Sequence, residues 1–178
     1  MTATGATIML HGRGLVGGVA EGEALVTRDS ISGWGGIEPT GGRIIESRHE
    51  LAGQSFKDRI LVFPGAKGSS GWSGMFHMSR LAGSAPKAMI FNYMNTKIAL
   101  GVVVTRVPAV TDLDQDPLDV IETGDWVRVD ADNGLVVVTR GGRRQTGDGS
   151  GRPQTGVGSG RPQTGVGSRR RVDGGSDE

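Results

Sequence analysis

Lys67-Gly68-Ser69-Ser70-Gly71 stand together between the apolar run at 59–63, closed by Pro64, and a helical pattern from Ser73. A turn that leaves a buried strand and enters a helix points free backbone N–H groups and the positive helix end at one place. Gly68 and Gly71 let the backbone approach a ligand closely, and Lys67 adds a cation. That chemistry suits an anion, and a carboxylate fits it. A capped helix start, with Ser69, Ser70 or Ser73 as N-cap, explains the same residues. Spacing alone does not separate the two.

A serine here cannot become a good base unaided. No His–Asp pair is spaced to activate it. A helix terminus contributes about 0.3–1 kcal/mol and at most about 2. Each pKa unit takes about 1.4 kcal/mol. Ser69 therefore needs positive charge from outside, such as a metal or arginines on a partner.

Other motifs are weaker. Gly12-Arg13-Gly14-Leu15-Val16-Gly17 matches the dinucleotide pattern GxGxxG, but Gly18-Val19-Ala20-Glu21-Gly22 is a poor helix start. The safer expectation is a glycine-rich segment that approaches something closely. Trp34-Gly35-Gly36 and Pro39-Thr40-Gly41-Gly42 form a second glycine-rich stretch, where Trp34 lines a pocket or covers a core edge. His49 is expected on the surface or satisfied, and His77 on the surface of a helix.

The elements that must hold these residues follow from periodicity. Short strands are predicted over 6–10, 22–27, 59–63 and 88–93, with loop over 33–42. The spacing predicts a helix over 73–82 with Met75, Phe76, Met78, Leu81 and Ala82 buried. The segment 59–93 thus reads as strand–turn–helix–strand with parallel strands. A helical turn is predicted over 95–100 and a strand over 102–105. Asn133-Gly134 marks a hairpin between 125–130 and 135–139. The fold class is α/β, with many short strands and few helices.

Composition narrows the function. The chain has 178 residues and no cysteine, which removes thiol nucleophiles and cysteine-ligated metal from it. Residues 1–140 carry 13 Lys+Arg and 15 Asp+Glu, so the body has no basic excess for nucleic acid. The three histidines are too scattered for a metal cluster. No apolar run is long enough to span a membrane, and no signal peptide is visible, so a cytoplasmic protein is expected. Two domains are expected, a folded body at 1–140 and a disordered tail at 141–178. The tail repeats GRRQTGDGS, GRPQTGVGS and GRPQTGVGS with a period of nine.

Several ordered motifs carry a resemblance over residues 8–139. They are the run from Gly17 to Val26, Trp34-Gly35-Gly36 with Pro39, Ile44-Ile45 with His49 and Gly53, Ile60-Leu61 through Pro64 to Ser70, Ala85-Pro86-Lys87-Ala88, Ile98 to Gly101, and Val107-Pro108. Together they resemble the small subunit of aconitase X–type hydro-lyases. The resemblance implies a swivelling β/β/α domain that docks on a separate large subunit carrying an iron–sulfur cluster. It implies Ser69 as the base that removes a proton alpha to a carboxylate. Lys67, Gly68 and Ser70 would hold the substrate, with Trp34, Gly35 and Gly36 lining the pocket. No cofactor is expected on this chain alone. The implied substrate is cis-3-hydroxy-L-proline, with mevalonate 5-phosphate as the alternative. Gly71 departs from the pattern, which leads one to expect a third hydroxyl residue there. Separately, Pro108-Ala109-Val110-Thr111 and 123–130 resemble the end of phosphohistidine carrier domains, which place a histidine at the helix start. A binding module without chemistry is a third class.

Overall fold

The computed structural model describes residues 6–141. The nonapeptide repeats, and with them the predicted disordered tail beyond Gly141, lie outside the described residues.

The chain opens with β1 (Thr7–His11), β2 (Arg13–Val16) and β3 (Val19–Val26). The glycine-rich stretch holds two-residue strands β4 (Ile31–Ser32), β5 (Ile37–Glu38) and β6 (Arg43–Ile44). Next come β7 (Ile60–Phe63), β8 (Ala66–Lys67), α1 (Gly71–Leu81), β9 (Ala88–Phe91) and α2 (Thr96–Thr105). The described part ends with β10 (Ala109–Thr111), α3 (Pro117–Val120) and the hairpin β11 (Trp126–Asp130) and β12 (Leu135–Thr139).

Eight strands make one mixed sheet in the order β1-β12-β11-β3-β7-β9-β10-β2. The pairs β3–β7, β7–β9 and β9–β10 are parallel, and the rest are antiparallel. β1 and β2 end this order on opposite sides, yet only Gly12 separates them in the chain. A single linking residue keeps the end of β1 and the start of β2 within about 7 Å, so the sheet must close on itself at that corner.

The closure explains the GxGxxG match. A Cβ on Gly12 would stand 2.6 Å from the Thr111 carbonyl oxygen, and one on Gly14 would stand 1.8 Å from that of Ala131. The close approach predicted for these glycines is therefore to the protein's own backbone. Arg13–Val16 is a strand, not a nucleotide loop opening a helix.

Alternate residues of β7 and β9 face two cores. Leu61, Phe63, Met89 and Phe91 pack with Trp72, Phe76, Ile98 and Val102 from the helices. Ile60, Val62, Ala88 and Ile90 pack with Leu10, Val127, Val129, Val136 and Val138. Burial on both faces is why these strands read as unbroken apolar runs.

Two helix expectations need correction. α1 begins at Gly71 and buries Trp72, Ser73, Phe76 and Ser79, while Met78 is 53% and Leu81 73% exposed and Ala82 is exposed. The large Trp72 sets the buried stripe at i, i+4 and i+7, which turns Met78 and Leu81 outward. α2 runs unbroken to Thr105, so the strand predicted over 102–105 is helix. Local β preference yields to packing there. Gly101 lets α2 close on α1, since a Cβ at that position would stand 2.1 Å from the Trp72 ring. Ile37–Glu38, predicted as loop, pairs with Arg43–Ile44.

Glu38 shapes the turn at 39–42 by accepting the N–H groups of Thr40 at 2.6 Å and Gly41 at 2.7 Å. The Gly41 N–H above all holds its carboxyl below the usual carboxylate range. A depressed folded pKa stabilises above the unfolded value and is lost as pH falls through the folded one. The Tm gap between the full chain and Glu38→Gln should therefore be present at neutral pH and close below about pH 4. A gap that stays constant through acid would show that the carboxylate is not the cause.

Among the described residues, no helix is long and apolar enough to cross a membrane.

Candidate active site

The Lys67–Gly71 turn lies beyond the C-terminal end of the parallel strand β7. Two other segments pack beside it. β4 pairs in parallel with β8, setting Ser32 opposite Lys67. The Ile31 N–H donates to the Gly65 carbonyl at 3.0 Å, and the Trp72 Nε1–H donates to the Ile31 carbonyl at 3.1 Å. After β9, the N–H groups of Asn92 and Tyr93 donate to the Pro64 carbonyl at 3.1 and 2.9 Å. Asn95 Nδ2 donates to the Ala66 carbonyl at 3.2 Å.

The two helix starts differ. Asn95 caps α2, its Oδ1 accepting the Ile98 N–H at 3.0 Å. Ser70 holds the cap position of α1 with helical backbone and no side-chain capping bond. Ser69 Oγ accepts the Gly71 N–H at 3.3 Å. Ser73 Oγ donates to the Ser70 carbonyl at 3.3 Å. None of the three serines is a full cap for α1, so its positive end stays available to an anion. Gly68, Ser69 and Ser70 are all exposed.

Gly68 has φ +84°, and a Cβ there would stand 2.9 Å from Ser32 Oγ. The positive φ favours glycine there, whereas the Ser32 hydroxyl could rotate aside. At Gly71 a Cβ would lie 3.3 Å from Ser69 Oγ and 3.7 Å from Trp34 Cβ. A side chain at position 71 would therefore crowd the Ser69 hydroxyl and touch Trp34. Trp34 is 76% exposed and Gly35 is exposed beside it, whereas Gly36 is buried. A Cβ on Gly36 would stand 2.1 Å from the Ser32 carbonyl oxygen. Gly36 thus serves the turn rather than the open rim.

Lys67 does not stand alone. Its Nζ donates to Glu46 Oε1 at 2.7 Å, across 21 residues of chain. Glu46 follows β6, and its N–H and that of Ile45 both donate to the Gly36 carbonyl. His49, expected on the surface or satisfied, is neither. It is 4% exposed, with Nδ1 accepting the Leu51 N–H at 3.1 Å and Nε2 unpartnered. Sequence reasoning gave Glu46 no role, because nothing in its local spacing marks a partner for Lys67. His77 is half-buried in the second turn of α1, not at the helix start that a phosphohistidine carrier needs.

This chain has no cysteine, and among the described residues no group of three or more His, Asp or Glu could hold a metal.

Comparison with known proteins adds to this geometry. The family model of the aconitase X swivel domain matches residues 9–138. The phosphomevalonate dehydratase small subunit of Methanocella arvoryzae is 38% identical over 129 residues, 72% of this chain and 98% of that protein. The protein of the same name from Thermococcus kodakarensis is 39% identical over 133 residues, 75% of this chain and 98% of its own. The crystal structure of Thermococcus kodakaraensis aconitase X in its holo-form superposes with a TM-score of 0.70 at 38% identity, covering 74% of this chain and 98% of that one.

Proposed function

Because this chain belongs to the aconitase X swivel-domain family, we propose that it is the small subunit of a two-chain dehydratase acting on phosphomevalonate. The observation that carries the substrate is the shared name of relatives that this chain covers almost end to end. Of the two substrates weighed on sequence, it favours mevalonate 5-phosphate over cis-3-hydroxy-L-proline.

In this reading Ser69 Oγ takes the proton from the carbon alpha to the substrate carboxylate. The hydroxide that leaves the next carbon and the proton that Ser69 took together make up the water lost, and a carbon–carbon double bond forms between the two carbons. Lys67, Gly68 and Ser70 hold the carboxylate at the open end of α1. Trp34 and Gly35 rim the exposed turn beside Ser69. The positive charge that Ser69 needs comes from the large subunit, which is also the proposed place of the iron–sulfur cluster.

Exposed Trp34, Ile45 and Tyr93 support cover by a partner around this turn. Trp34→Ala should change the chain's own stability by no more than about 0.5 kcal/mol. It should weaken association with the large subunit by about tenfold or more, since buried Trp anchors dominate interfaces. Titration calorimetry against the large subunit measures this, and unchanged affinity would remove Trp34 from the interface.

Co-expression with a candidate large subunit tests the function. The purified complex should dehydrate mevalonate 5-phosphate. Turnover of cis-3-hydroxy-L-proline alone would overturn the substrate, and turnover of neither would overturn the dehydratase reading.

A further inference from the structure

We propose that Glu46 and His49 position Lys67: Glu46 holds the ammonium at rest, and the buried His49 ring is the donor that takes over Glu46 when Lys67 turns to an anion. This rests on the reading of Lys67 as a ligand for the substrate carboxylate.

Three buried side-chain polar atoms lack a hydrogen-bond partner among the described residues: Glu46 Oε2, His49 Nε2 and Asn92 Oδ1. Two of them share one turn, in which the His49 N–H donates to the Glu46 carbonyl at 3.1 Å. They are complementary. His49 Nδ1 accepts the Leu51 N–H, so the neutral ring carries its proton on Nε2. The result is an unmet donor and an unmet acceptor three residues apart. Buried polar atoms are seldom left so, and unmet ones call for a cause.

The cause lies in Lys67. At rest its Nζ serves Glu46 Oε1. A substrate carboxylate must draw the ammonium toward the helix start, which strips Glu46 of that donor. A carboxylate left unpaired opposes this transfer. A donor already buried in the same turn lowers the penalty. His49 thus acts on substrate binding through Glu46 and Lys67 without touching the reacting atoms.

The test uses the reconstituted complex with mevalonate 5-phosphate. His49→Asn keeps an acceptor for the Leu51 N–H but has no group at the Nε2 position. It should raise KM by about three- to tenfold with kcat nearly unchanged. His49→Gln keeps a donor near Nε2 and should restore KM. Glu46→Gln should lower KM by about three- to tenfold, because Lys67 no longer leaves an anion. In the double variant Glu46→Gln/His49→Asn, KM should match Glu46→Gln alone, since a neutral amide does not need the donor. A His49 that only supports the fold would give the same KM penalty in both backgrounds, and that result overturns the proposal. Nitrogen-15 NMR of the imidazole in the full chain gives a second check. The proton should sit on Nε2, and an Nδ1-protonated ring would overturn the proposal even if a variant misfolds. Wild-type turnover with unaffected His49 variants overturns this inference alone, whereas no wild-type turnover overturns the parent reading and this one with it.

Discussion

Replacing Ser69 by alanine should lower kcat of the reconstituted dehydratase by about 10²–10⁴-fold, the usual contribution of a positioned general base. KM should change little, because Lys67 and the backbone of the turn remain. Stability should also hold. Ser69 is exposed, and the bond recorded for its Oγ is a 3.3 Å acceptance from the Gly71 N–H. A weak exposed bond contributes at most about 1 kcal/mol. The discriminating measurement is steady-state kinetics of wild type and variant with the same large subunit, beside their melting curves. A variant with near-wild-type kcat would remove Ser69 as base, and a variant that loses activity only by unfolding would not support it.

The largest structural effect is expected at the neighbouring element. Trp72→Ala should destabilise the chain by about 3–5 kcal/mol, the range for deleting a large buried aromatic. In a domain of this size that corresponds to a fall in Tm of roughly 10 °C or more. Trp72 is fully buried, stacks 6.2 Å from Phe63 and sits 4.2 Å from Phe76. Its Nε1–H ties α1 to β4 through the Ile31 carbonyl. Gly101 of α2 is shaped to its ring. Alanine would leave a cavity between two helices and remove the tie from α1 to β4. The same substitution at Trp34, a tryptophan in the same site region, should leave Tm almost unchanged. Thermal unfolding of the two variants side by side checks the contrast, and equal shifts would contradict it.

The strand–turn–helix–strand unit at 59–93 was legible because its signals are local. A four-residue apolar strand, a glycine-serine turn and a helix stop at Gly83 follow one another in the chain. The Asn133-Gly134 hairpin was legible for the same reason, with Gly134 at φ +62°. The periodicity placed Phe76 and Met75 on the core side of α1 but misplaced Met78, Leu81 and Ala82, because the packing of Trp72 set the stripe. α2 was misread because the β-branched run Val102-Val103-Val104-Thr105 favours a strand in isolation. The Asn95 cap and packing against α1 and the core make it a helix.

The glycine-serine turn was thus determined by the sequence itself, as was the absence of any thiol on this chain. Its ordered motifs also placed it in its family. Those properties are carried by residue types and short spacings. What only the tertiary structure decided is the state of that turn: its serines leave α1 without a full side-chain cap, and its lysine is neutralised by Glu46. It also decided which tryptophan is core and which is rim, and the closure of the sheet through Gly12. Each of these depends on contact between segments far apart in the chain. Such contacts follow from how packed surfaces exclude water and fill space, and no local period of two or 3.6 residues records them.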